Sequence, residues 1–304
     1  MRDKDFRYLL KALAGMLKRK ILDYGKMIKF SHTVFALPFA LSAVVLAWQT
    51  RVPSVWELFL ILAAMVGARS AAMGFNRIVD ADIDKKNPRT AVREIPSGVL
   101  TRPQALIFVG VSSMLFVGAA ALLSPLCFGL SFPVLGLLFF YSFTKRFTAY
   151  CHLVLGFVIS LAPVGAWVAL TGTLNWGIAM LAAALWFYIA GFDILYACQD
   201  IEFDREQGLF SLPVRLGPER AMQVSTLFHG LFLAFLLGVY VYFAMHAVFL
   251  VFWAVIAVLI VFEHRLVRPD DLSRIDVAFF HVNSAVSVLL FAGILIQTVF
   301  RGTA

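Results

Sequence analysis

The chain has 304 residues, 61% of them hydrophobic and only 14% charged, with a mean hydropathy of +0.86 and a formal net charge of +8. Soluble domains run nearer 45–50% apolar and about 25% charged, so a soluble enzyme, a disordered chain and a single-span anchored domain are excluded. Three cysteines (Cys127, Cys151 and Cys198) have no metal-ligand spacing, and an odd number gives no disulfide framework.

Taken in chain order, the apolar runs predict nine membrane spans: 33–48, 58–75, 105–123, 126–142, 153–171, 176–198, 222–245, 247–263 and 277–299. Long uncharged runs of this kind leave too little polar surface to cover them in a soluble protein. The first run starts too late for a simple cleaved signal, and no small-residue cleavage site follows it. Pro125 and Pro133 interrupt the fourth run, and only a short turn near His246 separates the seventh from the eighth.

Lysine and arginine then set the orientation. The segment before the first span holds nine, and loops 76–104, 143–152, 199–221 and 264–276 hold six, two, three and three. Thus 23 of the 26 basic residues share one side, Arg51 and Arg301 lie on the other, and Arg69 falls within the second span. The positive-inside rule makes the N-terminus cytoplasmic and the C-terminus external, which requires an odd number of spans. Topology and anionic lipid account for the basic charge, so nucleic acid is not an expected partner. Residues 1–25 read as a basic cytoplasmic tail, with an amphipathic surface helix over 1–24 as the alternative.

The 18 acidic residues are not scattered. Asp80, Asp82 and Asp84 sit at the cytoplasmic exit of the second span; Asp193, Asp200, Glu202, Asp204 and Glu206 sit at the exit of the sixth. Asn76, Asp80 and Asp84 are spaced i, i+4, i+8 and share a helical face, while Asp82 points roughly the other way. Asp193, Tyr196, Gln199, Asp200 and Asp204 step by three, four or seven along a second face. Neighbouring helices with such faces bring four or five carboxylates together, a concentration that repels itself unless cations occupy it. Oxygen-only ligands with room for water suit Mg²⁺, which typically takes one or two carboxylates plus substrate phosphates. Arg69 lies seven residues before Asn76, on the same face and about two turns deeper; it is a functional candidate or a partner for Asp193. Lys145 and Arg146 follow the fourth span and suit either a topology flank or a diphosphate leaving group.

At these residues the sequence resembles the UbiA superfamily of intramembrane prenyltransferases. Asn76-Arg-Ile-Val-Asp80-Ala-Asp-Ile-Asp84 matches the family's N-x-x-x-D-x-x-x-D motif, continued by Asn87-Pro-Arg-Thr and Arg93-Glu-Ile-Pro-Ser-Gly98. Asp200-Ile-Glu-Phe-Asp204 matches the second, D-x-x-x-D, motif. Within the superfamily, Ile28-Lys-Phe-Ser-His-Thr-Val-Phe-Ala-Leu-Pro-Phe39 is similar to the 4-hydroxybenzoate polyprenyltransferase branch, with Ser31 where that branch often carries glutamate. Some members of that branch serve a futalosine-type menaquinone route.

The resemblance implies a single all-α integral membrane domain over residues 1–304, nine helices bundled around a central cavity that opens toward lipid, in the cell inner membrane. It implies transfer of a polyprenyl group from polyprenyl diphosphate to an aromatic acid such as 4-hydroxybenzoate in respiratory quinone biosynthesis, or to a naphthoate-type acceptor. The site would open to the cytoplasm. Asn76, Asp80, Asp84, Asp200 and Asp204 would hold Mg²⁺, assisted by Arg69, Lys145 and Arg146. Asp193 is a candidate for the base that removes the ring proton, Tyr196 and Tyr141 are candidates for stabilising the allylic cation or binding phosphate, and Lys29 and His32 for meeting an aromatic carboxylate. A secondary transporter is the rival from another class, but its carboxylates belong near the midplane on broken spans. Haem, chlorophyll or homogentisate acceptors are further enzymatic alternatives.

Overall fold

The computed structural model describes Gly15 and residues 19–302; the tail reading of residues 1–25 falls mostly outside the described residues. Nine principal helices follow in order: α1 (Leu37–Ala47), α2 (Val55–Lys86), α3 (Arg102–Leu123), α4 (Pro125–Thr144), α5 (Cys151–Thr171), α6 (Trp176–Ala197), α7 (Pro218–Tyr242), α8 (Val248–Leu266) and α9 (Asn283–Gly302). The chain has no named strand among the described residues, only an isolated bridge between Arg268 and Asp271.

Local chemistry sets the ends of these helices. Ser54 and Glu57 form a reciprocal capping box at the start of α2, and Thr101 and Gln104 repeat it at α3. Pro88 forces Asn87 into extended backbone, and α2 ends there. Gly172 turns α5 off in the left-handed region at φ 68. α2 and α3 pack closely because Gly67 has no side chain: a Cβ there would stand 2.7 Å from the Phe116 amide nitrogen. Gly156 does the same between α5 and α6, where a Cβ would meet the Trp186 carbonyl at 2.3 Å.

Eight of these helices are long and apolar enough to cross a membrane, and the apolar segment Thr33–Ala47 is shorter. The first predicted span is therefore the exception. α1 has 11 residues, about 16 Å at 1.5 Å per residue, against a hydrocarbon core of about 30 Å. A 3₁₀ turn, Phe30–Phe35, precedes it, and Pro38 stands in its first turn.

The buried core unites α1 with α5–α9 through Phe39, Trp167, Tyr188, Phe232, Phe249 and Leu290. These side chains fill that half of the bundle. Two adjoining chambers are lined by α1–α6 and the segments that follow α2, α4 and α6. On the other side α7 packs on α6 and α9 on α1, with α8 against α7 and α9.

Candidate active site

The polar chamber, about 190 Å³, sits where the C-terminal ends of α2, α4 and α6 meet the start of α5. α2 brings Asn76, Asp80 and Asp84 to it on one face, and both aspartates are buried. Asp82 faces outward and pairs with Arg102. Asp193, Tyr196, Asp200 and Asp204 line the opposite wall. Of the five residues expected on that face, Gln199 is the one absent from the wall. α6 stops at Ala197, where the Cys198 amide bonds back to Leu195, and a 3₁₀ turn (Cys198–Asp200) and the short helix Ile201–Glu206 follow. Gln199 consequently leaves the site and donates to the Tyr196 carbonyl at 3.1 Å.

Basic side chains offset the gathered negative charge. Lys145 and Arg146, at the end of α4, reach Asp80 at 2.8 and 2.9 Å. Arg146 also donates to the Val79 and Ser142 carbonyls, and Asn76 Nδ2 donates to Asp80 at 3.1 Å. One nitrogen of Arg93 spans both carboxylate oxygens of Asp84 at 2.7 Å. Arg89 pairs with Asp200 and donates to the Tyr196 hydroxyl at 3.2 Å, while Asn87 Nδ2 adds a 3.0 Å bond to Asp200. Among the described residues, no three His, Cys, Asp or Glu side chains converge closely enough to hold a metal ion. Asp80, Asp84 and Asp200 are each turned toward a protein cation. The donor set itself, four carboxylates and one amide oxygen around one chamber, still fits a hard ion such as Mg²⁺.

Asp193 is not bound to Arg69. Its Oδ2 lies 2.7 Å from His152 Nδ1. Arg69 instead donates to the Lys29 carbonyl at 3.2 Å and lines the second chamber, away from the aspartates. Lys29 is half-buried with its ammonium 6.0 Å from the centre of the Tyr196 ring. Burial, with Arg77, Arg93 and Arg89 nearby, pushes its pKa down to about 8. The backbone of His32 lies in the 3₁₀ turn, and its side chain falls outside the described ones.

The second chamber, about 230 Å³, is apolar and runs between α2, α3, α4 and α5. Ala64, Ala68, Ala72, Ala120 and Ala162 keep it open by leaving their walls short. Asn76 and Tyr141 line both chambers, so the polar and apolar spaces meet at those two residues. Arg89, Arg93 and His152 were not among the expected site residues. The two arginines lie in the extension of the first motif, which was the available signal. His152 stands in no motif and reaches Asp193 across 41 residues.

Comparison with known proteins adds the decisive observation: the model of the UbiA prenyltransferase family matches residues 36–285. The chain belongs to the UbiA prenyltransferase family. A 4-hydroxybenzoate octaprenyltransferase of Vibrio parahaemolyticus is 30% identical over 288 residues, covering 92% of this chain and 95% of that protein. The apo structure of a UbiA homologue from Aeropyrum pernix is similar at 34% identity and a TM-score of 0.78, over 87% of this chain and 97% of the other. A UbiA homologue from Archaeoglobus fulgidus, solved with DMAPP and Mg²⁺, shares the fold at 18% identity and a TM-score of 0.67, over 90% of this chain and 99% of the other.

Proposed function

We propose that this UbiA-family protein transfers a polyprenyl group from polyprenyl diphosphate to a ring carbon of an aromatic acid such as 4-hydroxybenzoate, in respiratory quinone biosynthesis. The observation that carries this reading is the junction of a charged chamber with an alanine-walled apolar one at Asn76 and Tyr141. That shape matches a diphosphate head on a long hydrocarbon tail. The family membership and the 4-hydroxybenzoate octaprenyltransferase relatives support it. In this reading the whole chain is one domain of the cell inner membrane, in which the shorter Thr33–Ala47 segment crosses together with the eight long helices to make nine spans, with the N-terminus and the polar chamber facing the cytoplasm. A reporter after Ala304 would then lie outside, and one near Asn87 inside.

Asn76, Asp80, Asp84, Asp200 and Asp204 are the residues that would hold Mg²⁺, which when bound supplies Lewis-acid neutralisation of the diphosphate. Lys145, Arg146, Arg89 and Arg93 leave their aspartate partners for the diphosphate oxygens, stabilising charge that grows as the allylic C–O bond ionises. The apolar chamber keeps water from the resulting cation. Arg69, the charged residue among those lining the second chamber, meets the carboxylate of the acceptor acid. Asp193 takes the ring proton after attack, restoring aromaticity.

The test is prenyl transfer in membranes carrying this chain, with labelled polyprenyl diphosphate and several aromatic acids, with and without EDTA. A prenylated 4-hydroxybenzoate, lost on chelation, is the expected product. A naphthoate-type product alone moves the protein to a menaquinone route, and no prenylated aromatic at all overturns the reading.

A further inference from the structure

We infer that His152 is a positioning residue for Asp193, fixing the carboxylate that accepts the ring proton; this rests on the proposed aromatic prenyl transfer. His152 is 2% exposed, at the start of α5, and its ring lines the polar chamber. Nδ1 lies 2.7 Å from Asp193 Oδ2, and the Leu212 amide N–H points at Nε2 from 3.4 Å. Nδ1 is thus the ring nitrogen placed to donate to Asp193, with the Leu212 amide on the far side of the ring.

The source of that amide matters. Leu212 is the first residue of the short helix Leu212–Leu216, whose opening N–H groups have no partner within the helix. Ser211 Oγ accepts from Val214, and His152 accepts from Leu212. The loop that follows the second aspartate motif therefore braces the His152 ring from the side opposite Asp193. The same loop is tied to α4 and α5 by the Phe210 amide on the Lys145 carbonyl at 2.7 Å and by Cys151 Sγ on the Phe210 carbonyl at 3.6 Å.

One Asp193 oxygen is thus occupied by the His152 N–H, and the carboxylate is oriented within the chamber. After the ring attacks the allylic cation, the C–H bond at the attacked carbon breaks. Its electron pair returns to the ring and its proton goes to Asp193 Oδ1, giving the carboxylic acid, which then releases the proton to water or to the departing diphosphate. His152 keeps its own proton throughout. A carboxylate left to rotate would spend less time facing the ring, and proton removal would slow without any change in substrate binding.

The experiment compares ring-deuterated with unlabelled 4-hydroxybenzoate in membranes carrying wild type, His152→Leu, His152→Asn and Asp193→Asn, and His152→Leu combined with Asp193→Asn, at matched insertion. Asparagine places an amide N–H where Nδ1 stood but cannot accept from Leu212. In His152→Leu, kcat should fall about 10-fold or more, the KM of both substrates should stay within about twofold, and a primary isotope effect absent from wild type should appear. His152→Asn should restore most of kcat and abolish the isotope effect, and His152→Leu should add nothing to Asp193→Asn. A loss in His152→Leu with no isotope effect, equal losses in the leucine and asparagine variants, or additive losses with Asp193→Asn each overturn the inference while wild-type turnover upholds the reaction. Absence of wild-type turnover removes the reaction and this inference together.

Discussion

Asp80 and Asp82 stand two residues apart on α2, yet the Asp80 side chain is 5% exposed between Lys145 and Arg146 and that of Asp82 is 82% exposed beside Arg102. Two helical steps rotate a side chain by about 200°. Asp82 therefore serves as an internal control for any role of the chamber aspartates. If boundary charge alone mattered, Asp80→Asn, Asp82→Asn and Asp84→Asn would behave alike. We expect kcat/KM for prenyl diphosphate to fall by at least about 10²-fold in Asp80→Asn, Asp84→Asn, Asp200→Asn and Asp204→Asn. Asp82→Asn should cost no more than several-fold, since an exposed ion pair contributes little. Raised Mg²⁺ should partly rescue variants that only weaken metal binding. Equal losses at Asp80, Asp82 and Asp84 would overturn the shared-face assignment.

Arg69 sits apart from the aspartates, on the wall of the apolar chamber, with one guanidinium nitrogen on the Lys29 carbonyl. Among the described residues its guanidinium forms no ion pair with a carboxylate, and Asp193 is held by His152. Arg69→Gln should raise KM for 4-hydroxybenzoate by about tenfold or more, the worth of one charged hydrogen bond. KM for the methyl ester of the same acid, and for prenyl diphosphate, should change far less. Equal effects on acid and ester would assign Arg69 to the fold or to the diphosphate.

Lys29 gives a pH signature. Burial and three neighbouring arginines lower its pKa to about 8, so its positive charge is present below that pH and lost above it. Where that charge helps an aromatic carboxylate to bind, KM for the acid is low below pH 8 and climbs through it. Lys29→Ala should show the raised KM already at pH 7 and no further rise near pH 8. A wild-type KM that is flat from pH 7 to 9 would remove Lys29 from acceptor binding.

The apolar chamber is wide because alanines line it, and that width should set which tails fit. Ala68→Phe adds a ring to the α2 wall. Turnover of long-chain prenyl diphosphates should drop steeply relative to a ten-carbon donor in the same membranes, and the ratio corrects for expression. An unchanged ratio would place the tail elsewhere.

Several features were legible in the chain itself. Apolar runs of about 20 residues suit membrane-crossing helices, which satisfy every backbone amide within their own segment; the long helices accordingly fall on the expected runs. The i, i+4, i+8 spacing of Asn76, Asp80 and Asp84 likewise needs only helical geometry to place Asp82 apart. What the sequence left open was everything that depends on contacts across the chain. Nothing local marks the break after Ala197, which removes Gln199 and turns Asp200 to Arg89 and Asn87. Nothing in the neighbourhood of His152 announces Asp193, because their pairing depends on how α5 crosses α6 at Gly156 and on where the Leu212 amide comes to rest. The partners of the carboxylates were equally out of reach. Charge counting required cations among them, and only the tertiary packing decided that Lys145, Arg146, Arg93 and Arg89 supply those cations from two separate loops, because electrostatic pairing is set by distance in space and not by position along the chain.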